Sequence, residues 1–300
     1  MIAPPYLYGS GRRRPPALLA QAVPARFGSY IEPFLGSGAR AIAVMQQHPG
    51  ASFVLNSSNP DLLAVWDALL TDPGRLIGLV AGLAAGHDRR QFDGQRLAGL
   101  REQQPLPAMD RAARFVYLSG TAEGNGLAGA ADDFASARFA RDTVAFDAAN
   151  LRALGRLLAG RDVRLSGRQP FDLLPQIHED DIVFVDPPYP VAAAGEPGQA
   201  GQPRVPGEPR PPGEPLGSAA APPPGEPRGS AAPRGAAPTP REVKSFVAAV
   251  TAKGAAVLLA GHPVDETPAG ASGWSTLSRL PTDDGAPLWA NSLLHRALRA

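Results

Sequence analysis

The chain contains no cysteine, and its five histidines show no metal-ligand spacing. Disulfide bonds and thiolate metal sites are therefore excluded, and we expect no metal. The sequence also lacks an apolar run of the roughly 18 residues that a membrane helix needs. Its N-terminus lacks the basic start and apolar stretch of a secretory signal. We therefore expect a cytoplasmic protein with no membrane partner.

Net charge is also small, because 29 basic residues nearly balance 28 acidic ones. No global field attracts a polyanion, so any nucleic-acid binding depends on a local patch. The densest basic segment is "GRRRPP" at residues 11–16, which on charge alone predicts a solvated N-terminal arm. Apolar residues make up 44% of the 300 residues, enough for one large α/β domain or two smaller ones.

Proline and glycine are concentrated in one region, where "GEP" recurs between residues 194 and 238. Almost none of these residues could enter a core, so burial cannot offset the entropy lost on ordering. We therefore predict a disordered, partly polyproline-like tract over residues 194–238. Order is predicted to resume at Thr239, which would cap a helix beginning at Pro240, with Glu242 completing a capping box.

On both sides of this tract, short apolar segments alternate with helical ones. Strands are predicted at the start of "SYIEPFLGSG", in "SFVL", "DVRLS", "DIVFV" and "AAVLLAGH", and near "LWANSLLHRA". A continuous apolar run such as "DIVFV" is typical of a strand buried on both faces. Helices are predicted from about Ala39 and Pro60, and across much of residues 71–159. This alternation predicts an α/β fold with a parallel, doubly wound sheet.

Three polar turns, at residues 36–38, 56–59 and 186–189, would meet where the strands end, at the edge where such sheets bind ligands. Each also has an ordinary structural interpretation. "GSG" is a common tight connection and lacks the third glycine of the dinucleotide fingerprint. "NSSNPD" is a normal helix start, capped by Ser58 or Asn59. "DPPY" could simply be a turn that ends a strand.

The residues of the third turn, Asp186, Pro187, Pro188 and Tyr189, favour a functional interpretation. Prolines have no N–H, so this backbone offers only carbonyl acceptors. A rigid carboxylate beside a rigid carbonyl forms a pair of acceptors that suits an exocyclic amine with two hydrogens. Tyr189 adds a flat ring on which a base can stack.

The motifs "IEPFLGSGA" and, far downstream, "DPPY" resemble the cofactor loop and catalytic motif of amino-directed DNA methyltransferases. Their order is that of the Dam-type adenine-N6 methyltransferases, the D12 class, alpha group. The segments "LYGSGRRR", "VLNSSNPDLLAVWDAL", "ARFVYLSGTAEGNGL" and "AAVLLAGH" resemble further parts of that family. The resemblance covers most of residues 6–190 and, more weakly, residues 239–300.

The resemblance implies a Rossmann-like, S-adenosylmethionine-dependent methyltransferase fold with a helical insertion between the cofactor and catalytic motifs. Residues 1–70, 160–193 and 239–300 would form the catalytic domain, and residues 71–159 the insertion, a candidate target-recognition region. S-adenosyl-L-methionine is the implied cofactor. The implied partner is double-stranded DNA with a flipped adenine, bound by a monomer that acts in restriction-modification.

The resemblance also implies roles for individual residues. Asp186, Pro187, Pro188 and Tyr189 would form the catalytic pocket, where adenine N6 donates to the Asp186 carboxylate and the Pro187 carbonyl. These bonds would localise the nitrogen lone pair. The implied cofactor-binding residues are Tyr8, Arg12, Glu32, Phe34, Gly36, Gly38, Ser57 and Asp186.

Some positions depart from the family pattern. Ser57 stands where the family has an aspartate for the cofactor ribose, and losing a charged hydrogen bond costs about 1.5–3 kcal/mol. Asp61 lies one helical turn further on, and whether it substitutes is left open. Arg12 replaces a lysine, a different kind of cation. The family's DNA-gripping motifs after Leu127 and its aromatic loop after "DPPY" are absent.

These departures leave three hypotheses open. The first is an active DNA adenine-N6 methyltransferase. The second is a degenerate homologue that binds DNA or cofactor weakly and turns over little. The third is a methyltransferase with another amino substrate, such as cytosine N4 or RNA.

Overall fold

The structure is a computed structural model that describes residues 2–6, 23–98, 106–123, 134, 137–187, 238–260, 277–279 and 288–298. The chain divides into two units, Met1–Tyr189 with Arg234–Ala300, and Pro190–Pro233. Every described residue belongs to the first unit. The tract predicted to be disordered lies, except for Pro238, outside the described residues.

Seven strands of the described residues form one sheet, in the order β3-β2-β1-β4-β5-β7-β6. Their bounds are Ser29–Glu32 (β1), Ser52–Asn56 (β2), Val163–Ser166 (β3), Ile182–Val185 (β4), Ala256–Ala260 (β5), Leu277–Arg279 (β6) and Leu288–Asn291 (β7). From β3 to β5 all neighbouring strands pair in parallel, and β7 is antiparallel to both β5 and β6. The predicted doubly wound sheet is therefore confirmed, with parallel pairing from β3 to β5 and antiparallel pairing at β7 and β6.

Helices connect these strands. Their bounds are Ala39–Gln47 (α1), Pro60–Thr71 (α2), Pro73–Ala85 (α3), Arg89–Ala98 (α4), Ala108–Thr121 (α5), Ala148–Leu158 (α6), Pro240–Ala252 (α7) and Ser292–Ala297 (α8), with a 3₁₀ helix at Pro170–Gln176. Within the described residues, α2 to α6 follow one another between β2 and β3. This is the stretch in which the sequence predicts a helical insertion.

The central strands are buried on both faces, as the apolar run predicts. All four residues of β4 are buried, and successive side chains point to opposite sides of the sheet. Ile182 and Phe184 pack in the larger core, together with residues of α1 to α6. Val183 and Val185 pack in a second core with apolar residues of α7. Helices thus cover both faces of the sheet, so a site is expected at the ends of the strands rather than on a face.

Helix caps are formed by local polar side chains. The Asn59 side chain accepts from the backbone N–H groups of Asp61 and Leu62, so Asn59 rather than Ser58 caps α2. At α7, the Thr239 hydroxyl accepts from the Glu242 N–H at 3.2 Å, and the Glu242 carboxylate accepts from the Thr239 N–H at 2.7 Å. The predicted capping box is therefore confirmed.

Three elements differ from the sequence prediction. In "LWANSLLHRA" only Leu288–Asn291 is a strand, because the Asn291 side chain accepts from the Leu294 N–H and starts α8. Helix α4 was not predicted, since its sequence is strongly polar and Phe92 is its one buried residue. Strand β6 was also missed, because its three residues are too few to establish a period.

Candidate active site

The ends of β1, β2 and β4 meet at one edge of the sheet. The Leu35 N–H, just after β1, donates to the carbonyl of Asn56 at the end of β2 at 2.7 Å. Asp186 follows β4, which pairs with β1 on its other side. The strand order reverses between β1 and β4, and doubly wound sheets bind ligands at such a switch point. The prediction that the three turns meet therefore holds for their described residues.

Contacts with Trp66 and Tyr6 fix the conformation of the glycine loop between β1 and α1. Gly38 has φ 73°, a left-handed conformation that favours glycine. A Cβ atom at Gly38 would also lie 2.0 Å from the ring of buried Trp66. The Tyr6 hydroxyl donates to the Gly36 carbonyl at 2.9 Å and accepts from Trp66 Nε1 at 3.1 Å. Backbone conformation and packing on Trp66 therefore constrain Gly38, and a hydrogen bond fixes the Gly36 carbonyl, whether or not a cofactor contacts them.

Glu32 is the last residue of β1, and its side chain is almost fully buried. Its carboxylate accepts from the Tyr30 hydroxyl at 3.2 Å and from the backbone N–H of Ala41. Burial raises the pKa of Glu32 to about 7, with the Arg40 cation lowering it and the Asp186 charge raising it. Glu32 is thus a buried acid near the glycine loop, and its pKa depends on the charges of Arg40 and Asp186.

Asp186 is paired with an arginine that the sequence analysis did not single out. Arg40 Nη1 lies 2.5 Å from Asp186 Oδ2, and the guanidinium lies over the Phe184 ring, 4.4 Å from its centroid. Arg40 stands in the first turn of α1, where the helix dipole disfavours a cation. No local sequence pattern joins Arg40 to Asp186, because the two are 146 residues apart.

The polar side chains that follow β2, those of Ser57 and Asp61, have partners within the fold. Ser57 is buried, and its hydroxyl accepts from the Asn59 N–H at 3.2 Å. Asp61 lies 3.6 Å from Arg111 and 3.3 Å from Arg114. The Asp61 carboxylate is thus engaged by two arginines of α5.

Phe34, predicted to contact the cofactor, is partly buried against α7. Its ring centroid lies 6.4 Å from that of Phe246, which in turn contacts the ring of Phe171 at 5.5 Å. Phe171 is 41% exposed. Four further predicted site residues lie outside the described residues, and their roles stay predictions: Tyr8, Arg12, Pro188 and Tyr189.

The sequence model of one family, described as D12 class N6 adenine-specific DNA methyltransferase, matches residues 18–194. That is more than half of the chain, and it includes the glycine loop, β1 to β4 and Asp186. The chain belongs to this family. Among the curated proteins, none matches it significantly. The mostly parallel sheet is the Rossmann-like fold of these methyltransferases.

Other features of this D12 class methyltransferase lie away from the site. A cleft of about 510 Å³, lined by Pro49, Arg156 and Arg161 among others, is at the opposite edge of the sheet. In the described parts of the chain, His, Asp and Glu residues form no group of three that could hold a metal ion. None of the described helices is both long and apolar enough to cross a membrane.

Proposed function

We propose that this chain transfers a methyl group from S-adenosyl-L-methionine to adenine N6 of a base flipped out of double-stranded DNA. One observation carries the proposal: Asp186 and Pro187 follow buried β4 at the switch point, beside the glycine loop that follows β1. Family membership supports DNA adenine as the substrate. The proposed target-recognition region is residues 71–159.

The described residues suit the charged end of this cofactor. The exposed part of the Asp186 carboxylate favours a sulfonium or an ammonium group, and Glu32 adds a second, buried acid nearby. Gly38 caps α1 without a side-chain hydrogen bond. At the ribose end, only the hydroxyl of Ser57 stands at the proposed position. The residues therefore fit the cofactor, with a weak point at the ribose.

The proposed chemistry assigns a task to each catalytic residue. When bound, the cofactor would supply the methyl group as its methyl–sulfur bond breaks, and one of the two N6 protons would be lost to solvent. The Asp186 carboxylate and the Pro187 carbonyl would accept the two N6 hydrogens, drawing the nitrogen toward a tetrahedral shape and localising its lone pair. Most of the rate would then come from positioning and from preorganised charge. No metal takes part in this scheme.

Tyr189 is assigned to the flipped base. Unstacking a base from the duplex costs a few kcal/mol. Stacking on an aromatic side chain returns roughly 1–3 kcal/mol per base. Tyr189 would therefore offset much of the flipping cost, and Pro188 would fix the backbone between the ring and the carboxylate.

The test is sequencing of modified bases in DNA from cells that express the protein, beside cells that express Asp186→Ala. We expect N6-methyladenine in a fixed sequence context with the wild type and none with the variant. Methylation of RNA but not of duplex DNA, or of cytosine N4, would instead support another amino substrate.

A second candidate function is that of a degenerate homologue. The observation that favours it is at β2, where Ser57 replaces a carboxylate and Asp61 is engaged by Arg111 and Arg114. Measurable binding of S-adenosylmethionine by calorimetry, together with no transfer to any nucleic acid, would support this alternative.

A further inference from the structure

The strongest unexplained feature near the site is Arg40. Its cation stands in the first turn of α1, where the partial positive charge of the helix N-terminus is unfavourable. It is also partly buried, with 22% of its side chain exposed. An arginine in such a place needs a compensating acid, and Asp186 supplies it through the contact of 2.5 Å between Nη1 and Oδ2.

Two contacts set the orientation of Arg40. The Phe184 ring covers the guanidinium face at 4.4 Å, and Asp186 takes Nη1 at the edge. Nε is buried and makes no hydrogen bond to any described residue. Among the described groups, the guanidinium therefore has one acidic partner in direct contact, and that partner is the proposed catalytic acid.

Within the part of the chain that the structure describes, Asp186 is held by one of its two oxygens. Oδ2 accepts from Arg40, whereas Oδ1 accepts no hydrogen bond from the described part of the chain. A carboxylate has acceptor capacity on both oxygens. One third of the Asp186 side chain is exposed, 33%, so the group can be reached by a substrate.

We propose that Arg40 is a positioning residue, which holds Asp186 by Oδ2 so that Oδ1 is presented to the substrate amine. This role rests on the proposed function of Asp186 as the acceptor of the N6 hydrogens. Arg40 itself does not touch the reacting atoms. Without it, the Asp186 side chain would sample several rotamers, and misplacement by about 1 Å can lower a rate about a hundredfold.

Glu32 provides a readout of this ion pair that needs no catalysis. The groups that act on it are Tyr30 on the same strand, the Ala41 N–H and Arg40 on α1, and Asp186 after β4. Arg40 lowers the pKa of Glu32, and Asp186 raises it. Removing either partner should therefore move the titration of Glu32, in opposite directions.

The kinetic test compares Arg40→Met, which keeps length and apolar packing on Phe184, with Arg40→Lys, which keeps the charge. We expect Arg40→Met to lower the single-turnover rate of methyl transfer about 10- to 100-fold. Cofactor affinity by calorimetry should stay within about threefold, and Arg40→Lys should recover part of the rate. The matched control is Arg164→Met, since Arg164 pairs with Asp162 on the exposed surface. An unchanged rate in Arg40→Met would overturn the role.

The second test follows the carboxyl carbon resonance of Glu32 by NMR across pH. Arg40→Met should move its titration to higher pH, Asp186→Asn to lower pH, and Arg164→Met should leave it unchanged. No response to Arg40→Met would show that the Arg40 cation does not lie beside Glu32 as it must if it pairs with Asp186, and would overturn the inference. If Glu32 responds as expected but the wild type transfers no methyl group, the pair stands and the proposed function fails.

Discussion

The ends of β1 and β4 use their polar residues differently from the neighbouring end of β2. At the ends of β1 and β4, Arg40 and Asp186 pair directly and are partly exposed, and their charges act on the buried Glu32. At the end of β2, Ser57 and Asp61 are engaged by a backbone N–H and by two arginines. The first end keeps acceptor capacity for a ligand, whereas the second uses its own in the fold.

The hydrogen bonds of Asn56 show that its polar groups at the end of β2 are engaged within the fold. Its Nδ2 donates to the carbonyls of Pro33 and Arg168 at 2.9 and 3.0 Å, and its Oδ1 accepts from the Arg168 N–H at 3.1 Å. These bonds tie the ends of β1 and β3 to β2. A polar turn in the sequence is therefore compatible with either a ligand site or an internal brace, and only the partners distinguish the two.

The largest expected effect comes from breaking the β4 end with Asp186→Asn. The amide keeps the shape of the side chain, but it removes the charge and can turn an N–H₂ toward the substrate amine. We expect methyl transfer to fall about a hundredfold or more, as for the loss of other preorganised electrostatic groups. Cofactor binding should change less. Radiolabelled methyl incorporation into DNA measures the first quantity and calorimetry the second.

The matched control for that experiment is Asp162→Asn, because Asp162 is an exposed acid paired with an arginine. It should transfer methyl groups like the wild type. Unchanged turnover in Asp186→Asn would remove Asp186 from the mechanism and leave the two strand ends functionally alike.

The next effect concerns Glu32 and the dependence of stability on pH. The pKa of Glu32 is raised from 4.5 to about 7 in the folded chain by burial. The folded state therefore holds this proton more tightly than the unfolded state. Its stabilising contribution is complete below about pH 4.5 and is lost as pH rises through about 7, by up to about 3 kcal/mol.

Glu32→Gln tests this sign directly, since the amide cannot titrate. Urea unfolding at pH 5 and pH 8 should show the wild type losing stability relative to Glu32→Gln as pH rises. If the free energies of unfolding of the wild type and the variant changed in parallel with pH, folding would not shift the pKa of Glu32. The end of β1 would then hold no perturbed acid to set it apart from the end of β2.

Ser57→Asp tests the end of β2, because it adds the carboxylate that the family pattern has at this position. If the pocket is otherwise intact, cofactor binding should tighten about ten- to hundredfold, from the 1.5–3 kcal/mol of a charged hydrogen bond. The new carboxylate can still accept from the Asn59 N–H that Ser57 now engages. Calorimetric titration with S-adenosylmethionine measures the change, with a melting curve beside it.

Equal or weaker binding in Ser57→Asp, with a lower melting temperature, would contradict this expectation. It would mean that the carboxylate is buried without partners. The β2 end would then have drifted from a ribose site, which favours the degenerate homologue.

Local patterns predicted much of the fold and part of the site. The apolar run of β4, the cap at Asn59 and the capping box at Thr239 depend on residues close in sequence. Arg40 was missed because its partner is 146 residues away, and no local pattern joins them. The bond between Trp66 and Tyr6, which braces the glycine loop, spans 60 residues and was missed for the same reason.

The smallest effect is expected from deleting residues 195–236, which follow the β4 end. Helix α7 leads into β5, which lies beside β4 and parallel to it, so α7 begins near the edge where β4 ends. A short link can close that gap, and connections of about 2–6 residues are usual between a strand and a helix. Because loop closure depends weakly on length, the melting temperature should hardly change. A large drop in a calorimetric scan would show that the tract packs against the fold, and that the β4 end depends on it.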